Sequence, residues 1–196
     1  MSRVIGLYGG SGAGKSQVAR WFAGHGALVI DADEVSREVS APGGSAHADL
    51  QAAFPDCFLE DGTLDRRKLG ARVFADETER LRLERTVHPH MRRRIKELIA
   101  QAGQDTVILD CAILLEPAFR DLADERWLVA AAPDVRLTRI MERDHLSREE
   151  AAARIAAQMP EAEMRRYADR VIRNDATPAQ LADELSHVEA EIPKKA

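Results

Sequence analysis

The stretch Gly9-Gly10-Ser11-Gly12-Ala13-Gly14-Lys15-Ser16 constrains this chain more than any other. It fits G-x-x-x-x-G-K-[ST], follows the apolar run Val4-Ile5-Gly6-Leu7-Tyr8, and precedes a helical pattern, which is the strand, loop and helix setting the motif needs. The glycines let the backbone curl until its N–H groups point inward. Lys15 can then reach outer phosphates, and the Ser16 hydroxyl can take a place on Mg²⁺. The helix that follows aims its positive end at the same anion. The reading is a phosphate-binding loop serving a nucleoside triphosphate.

At 196 residues and 45% apolar content the chain supports one substantial core with appendages. The net charge is −5, and no basic, aromatic-studded stripe is present, which argues against a nucleic-acid partner. Cys57 and Cys111 are too few and too far apart for a disulfide framework or a paired-cysteine metal site. The chain enters a strand within a few residues of Met1, and no run approaches the ~18 apolar residues of a membrane span. The expectation is a cytoplasmic protein with no membrane partner.

Val18, Ala19 and Phe22 set a first helix, which Gly24-His25-Gly26 stops. Ala27 to Ile30 reads as a buried strand delivering Asp31-Ala32-Asp33 at its carboxyl end, the edge where open α/β sheets bind ligands. One reading keeps these carboxylates on an extended strand end facing the phosphates, and the alternative is a cap for a helix starting near Glu34. From there to Gly103 the pattern is helical with interruptions, an inserted subdomain. Leu64 to Phe74 reads as a capped amphipathic helix, Asp76 and Glu79 as a variant capping box, and His88-Pro89 as a kink or break in the next helix.

Thr106 to Asp110 is a strand ending in an acid, so Asp110 is a secondary Mg²⁺ candidate. Trp127 to Ala131 is the next strand. Pro133-Asp134 opens a helix presenting Arg136, Arg139 and Arg143, and Ser147 with Glu150 caps an alanine-rich helix containing Arg154 and Gln158. Two short helices beside arginines read as a lid whose Arg139, Arg143 and Arg154 supply charge on closure; the alternative is surface ion pairs to Glu142, Glu149 and Glu150. Arg170 to Arg173 is a last strand. Thr177-Pro178 with Gln180 opens a terminal helix on Leu181, Leu185 and Val188, before a frayed tail.

No Asn-Lys-x-Asp guanine signature and no Leu-Ser-Gly-Gly-Gln transporter signature is present. Val4 to about Leu185 resembles the dephospho-CoA kinase family. The resemblance rests on Gly6-Leu7, Gly9-Gly10, Gly14-Lys15-Ser16, Asp31-Ala32-Asp33 with Arg37, Leu64-Asp65-Arg66, His88-Pro89, and Leu114 to Glu116. It continues through Arg139 with Arg143-Asp144, Arg154 with Gln158, and Ala168-Asp169 to Asn174-Asp175. It implies an α/β P-loop kinase fold with a five-stranded parallel sheet in the order 2-3-1-4-5. A single domain, 1–196, would comprise a core (1–33, 104–142, 169–190), a helical acceptor-binding subdomain (34–103), a lid (143–168) and a tail (191–196).

The implied activity is ATP-dependent phosphorylation of the ribose 3′-hydroxyl of dephospho-CoA, with Mg²⁺, in a monomer or small homo-oligomer. Asp33, Lys15 and Arg143 would be catalytic. Gly10 to Gln17 (Gly10, Ser11, Gly12, Ala13, Gly14, Lys15, Ser16, Gln17), Arg139 and Asn174 would bind ATP, and Ser16 the metal. Asp33, Arg37, His88, Leu114 and Glu116 would bind the acceptor. Tyr8, Ser11, Ala112, Leu115 and Ala176 depart from the family pattern, which has threonine at position 8 and isoleucine at position 11. Another small-molecule kinase, acting on nucleoside monophosphates or shikimate, remains the alternative, as does a nucleotide-binding regulator.

Overall fold

A computed structural model describes residues 2–192. The elements are β1 (Arg3–Tyr8), α1 (Lys15–Gly24), β2 (Leu28–Asp31), α2 (Ala32–Ser40), α3 (His47–Ala53), α4 (Arg66–Ala75), α5 (Glu77–Gln101), β3 (Thr106–Asp110), β4 (Glu125–Ala130), α6 (Pro133–Asp144), α7 (Arg148–Ala156), α8 (Glu161–Met164), β5 (Arg170–Arg173) and α9 (Pro178–Glu191). The chain forms two compact units, one of residues 30–101 and one of the flanking segments.

Five strands make one parallel sheet in the order β2-β3-β1-β4-β5, the order the family resemblance implies. β1 is central: Val4 lies opposite Val107, Leu7 opposite Asp110 on β3 and Trp127 on β4. Its residues from Val4 to Tyr8 are all buried, because a parallel strand covered on both faces carries a continuous apolar run rather than an alternating one. Ile5, Leu7, Val18, Phe22, Ile108, Trp127, Val129, Ile172, Leu181 and Leu185 form one core. Tyr8 is buried at the end of β1 and donates its hydroxyl to the Met164 carbonyl at 2.9 Å. Burial pushes its phenol up to about 12, against the opposing pull of Arg126.

The helical unit has its own core of Val35, Val39, Leu50, Phe54, Val87, Met91 and Ile95. Within it α2 packs on α5, and Arg94 Nε donates to Glu38 Oε1 at 2.8 Å.

Several expectations change. α5 runs unbroken through His88 and Pro89. A proline there removes one i→i−4 donor, a loss the packing of Val87, Met91 and Ile95 on either side outweighs. α2 begins at Ala32, so Asp33 sits in a first helical turn and not on an extended segment. Phe74 is 93% exposed, off the apolar face of α4. Asp76 does receive the Thr78 N–H at 2.7 Å, the start of a cap for α5. α7 ends at Ala156, which leaves Gln158 in the following turn. Glu191 closes α9 and pairs with Arg170, and Ile192 packs on the core; the rest of the tail, 193–196, lies outside the described residues. Both capping boxes, Ser147 with Glu150 and Thr177 with Gln180, are formed. Among the described residues no helix is long and apolar enough to cross a membrane.

Candidate active site

Between β1 and α1 the chain runs through six residues with no side-chain cap at their end. Gly14 is the N-cap, at φ 92°, and a Cβ there would lie 2.0 Å from Asn174 Nδ2. Gly12 is also left-handed, at φ 77°, and a Cβ there would meet the Arg136 backbone at 2.5 Å. Both positions exclude any other residue type. Ala13 N–H turns back to Gly10 O at 3.1 Å and Gln17 N–H to Gly14 O at 2.9 Å. The N–H groups of Gly12, Gly14, Lys15 and Ser16 have no protein acceptor among the described residues. Such a set of open donors at the positive end of a helix is an anion site.

Lys15 Nζ donates to Gly9 O at 3.2 Å, which folds the side chain back along the loop. Ser16 and Gln17 are exposed on the first turn of α1. Asn174 is buried and braces the loop from beneath: its amide nitrogen donates to Ala13 O at 2.9 Å and Gln17 Oε1 at 2.8 Å. That spends both amide hydrogens, so the side chain serves the loop and has no donor left for a base. Asp175 accepts from Ala132 N–H and is held below the usual carboxylate range by that bond first, which pins the turn entering α6.

α6 divides its arginines. Arg136 Nε donates to Ser11 O at 2.9 Å, and Arg139 Nη1 to Gly12 O at 3.3 Å, with Asn174 Oδ1 a further 3.5 Å contact for Nη2. Arg143 instead forms a two-pronged pair with its own neighbour, Asp144, at 2.8 and 2.7 Å, and Arg154 joins the same carboxylate at 2.7 Å. The Arg143 bonds, ahead of the other charges, hold the Asp144 carboxyl below its ordinary range. Arg143 and Arg154 therefore meet, while Arg139 stands apart on the loop. The acid they share is Asp144, and not the glutamates that the ion-pair alternative named.

In the helical unit Asp31 caps α2, accepting from Asp33 N–H at 2.7 Å and Glu34 N–H at 3.2 Å. Asp33 and Arg37 are exposed and one turn apart. His88 is half-buried on α5, and burial lowers its pKa against an opposing pull from Glu84, which favours the neutral ring. In the other unit Leu114 is fully buried over Gly6, a core placement for a residue expected on the acceptor side. Glu116 is half-buried and its carbonyl receives the N–H groups of Phe119 and Arg120. Asp110 ends β3 opposite Leu7.

Arg136 escaped the sequence reading as a site residue. The signal was its spacing: Arg136 and Arg139 lie three apart, on one helix face. Gln158 is the second partner of Ser11, and no local pattern links positions 147 residues apart.

An open helix N-terminus behind a glycine loop, on a parallel sheet in this strand order, defines a P-loop kinase of small molecules. The chain belongs to the dephospho-CoA kinase family, whose model matches residues 3–180. It is 41% identical to the dephospho-CoA kinase of Geobacter sulfurreducens over 94% of this chain and 96% of that one. It is also 40% identical to that of Thermobifida fusca over 97% and 96%. Among solved structures, TT1252 from Thermus thermophilus superposes with a TM-score of 0.85 at 35% identity, covering 98% of both chains. The dephospho-CoA kinase of Campylobacter jejuni shares the fold, with a TM-score of 0.72 at 24% identity over 98% of both chains.

Proposed function

We propose that this protein transfers the γ-phosphoryl group of ATP to the ribose 3′-hydroxyl of dephospho-CoA, giving CoA and ADP, the last step of CoA biosynthesis. The observation that carries the reading is 41% identity to a dephospho-CoA kinase over 94% of this chain, in a chain whose phosphate loop keeps its open donors.

Each reacting atom has a residue suited to it. The open N–H groups from Gly12 to Ser16 and the Lys15 ammonium stabilise charge on the β- and γ-phosphates as it builds. Arg139 and Arg143 add positive charge from α6, Arg143 by leaving Asp144 when the α7 part of the lid segment 143–168 closes, with Gln158 staying on the loop. The acceptor oxygen attacks the γ-phosphorus, the bond to the β-bridging oxygen breaks, and the hydroxyl proton passes to Asp33. That exposed carboxylate is free of capping duty because Asp31 performs it. Arg37 and a neutral His88 serve the acceptor side.

No cluster of three or more His, Cys, Asp or Glu fit for a metal occurs among the described residues. The donor set suits Mg²⁺ arriving with the nucleotide, held by the Ser16 hydroxyl, phosphate oxygens and water. Bound there, the ion would neutralise phosphate charge.

ADP release measured over dephospho-CoA, nucleoside monophosphates and shikimate tests the assignment. Turnover should be confined to dephospho-CoA, and preference for another acceptor would overturn it.

A further inference from the structure

Ser11 is held on three of its atoms by two distant residues. Its N–H donates to Gln158 Oε1 at 3.0 Å, its hydroxyl oxygen accepts from Gln158 Nε2 at 2.9 Å, and its carbonyl accepts from Arg136 Nε at 2.9 Å. The clasp is closed on itself, because Arg136 Nη2 also donates to Gln158 Oε1 at 2.9 Å. The amide of Gln158 is thereby oriented completely. Its oxygen has two donors, and its nitrogen faces the one hydroxyl able to accept.

The loop is shaped to admit this arrangement. A Cβ at Gly10 would stand 2.2 Å from Arg136 Nη2, and one at Gly12 would meet the backbone of the same arginine. The guanidinium is half-buried, and desolvation lowers its pKa against only a distant pull from Glu161. Among the described residues it has no carboxylate within ion-pairing distance. A charge kept in such a place without an acid partner is held for its hydrogen bonds to Ser11 and Gln158.

Ser11 is the last residue before the run of open donors. Fixing its two peptide groups fixes the direction in which the Gly12 N–H leaves, and so the curl that aims the following donors at one anion. We propose that Gln158 and Arg136 are positioning residues for the nucleotide, holding the phosphate loop in its receptive shape through Ser11. The inference rests on reading the loop as the ATP site, and it extends that site to a residue beyond α7. Neither side chain is required to touch the transferred group. Their contribution is pre-organisation, which lowers the ordering cost of binding.

The test is calorimetric binding of a non-hydrolysable ATP analogue, alongside steady-state kinetics, for Gln158→Ala, Ser11→Ala and the double variant. Gln158→Ala should weaken analogue binding about tenfold, and raise KM for ATP more than it lowers kcat, with KM for dephospho-CoA little moved. Ser11→Ala loses only the hydroxyl contact and should weaken binding about two- to threefold, and it should add nothing in the Gln158→Ala background. Should Gln158→Ala fail to fold, Ser11→Ala alone decides, by its effect on binding. Analogue affinity within twofold of the parent in both single variants, or a full additional loss in the double variant, would overturn the proposal. Because binding is measured without turnover, failure of the acceptor assignment would show in the kinetics alone and leave this result readable.

Discussion

Two strand-to-helix junctions are solved in opposite ways in this protein. From β1 to α1 the chain spends six residues, uses a left-handed glycine as its N-cap, and leaves a row of N–H groups open. From β2 to α2 it spends none, and the Asp31 carboxylate takes two of the same orphan groups for itself. An α-helix begins with unsatisfied donors whatever its sequence, so the chain chooses whether they are given to a side chain or kept for a ligand. The first junction keeps them and can hold a phosphate. The second gives them away and presents a side chain, Asp33, in place of its backbone. On the proposed mechanism, binding and proton transfer fall to different kinds of junction.

The largest break in that contrast should come at the open junction. Lys15 supplies the only ammonium there among the described residues, and Lys15→Ala should cost roughly a thousandfold in turnover while thermal unfolding of the nucleotide-free protein stays nearly unchanged. Its one observed bond, to Gly9 O, is too little to matter to the core. Near-normal activity would sink the phosphate-loop assignment.

At the capped junction the expected loss is smaller but of a different kind. Asn keeps the size of Asp33 and removes its charge and proton-accepting role, so Asp33→Asn should still bind ATP, melt near the parent temperature, and lose at least about a hundredfold in kcat. Asp31, and not Asp33, makes the cap bonds, so the unchanged melting temperature is itself part of the test. Activity within a few-fold of the parent removes the proton-accepting role.

Arg143 asks whether the open junction is served by charge from outside itself. It is 57% exposed and engaged with Asp144, unlike Arg136 and Arg139, which already lie on the loop. An arginine recruited only on closure acts on the closed state, so Arg143→Ala should lower kcat about tenfold and change ATP affinity less. A loss residing wholly in ground-state ATP binding would contradict the closure argument, and an unchanged kcat would leave Arg143 as one arm of a surface ion pair.

How far the sequence carried the fold follows the same division. β1, α1 and the loop between them were legible because backbone geometry dictated residue type: left-handed positions demand glycine, and a doubly covered strand demands an apolar run. Caps were legible where side chain and backbone lie within three residues, as at Ser147 and Thr177. Pro89 points to a kink or break because local backbone preference takes no account of the Val87, Met91 and Ile95 packing that carries α5 through it. Asp31 and Asp33 were told apart only by where α2 starts, a boundary two residues from the expected one. Asn174, Arg136 and Gln158 could not be assigned their parts. Each acts across more than a hundred residues of chain or a turn of irregular structure, and hydrogen bonds of that reach leave no periodicity behind. The burial of Leu114 fits the apolar run it stands in, and the absent side chain of Gly6 makes room for it.

The smallest effect falls on Asp31, and it separates capping from metal binding at the second junction. The side chain accepts from two N–H groups at the start of α2, and losing such a cap typically costs about 1 kcal/mol. Asp31→Ala should therefore lower the midpoint of chemical denaturation by about that amount. Asn caps a helix about as well as Asp, so Asp31→Asn should restore the midpoint. If the carboxylate has no second duty, Asp31→Asn should also keep kcat within about twofold, with the Mg²⁺ dependence of the rate unmoved. A metal-bound carboxylate would behave otherwise, because an amide oxygen holds Mg²⁺ far less well than a charged one. A right-shifted Mg²⁺ titration in Asp31→Asn, at an unchanged denaturation midpoint, would end the cap-only account of this residue and make the second junction a contributor to the phosphate site.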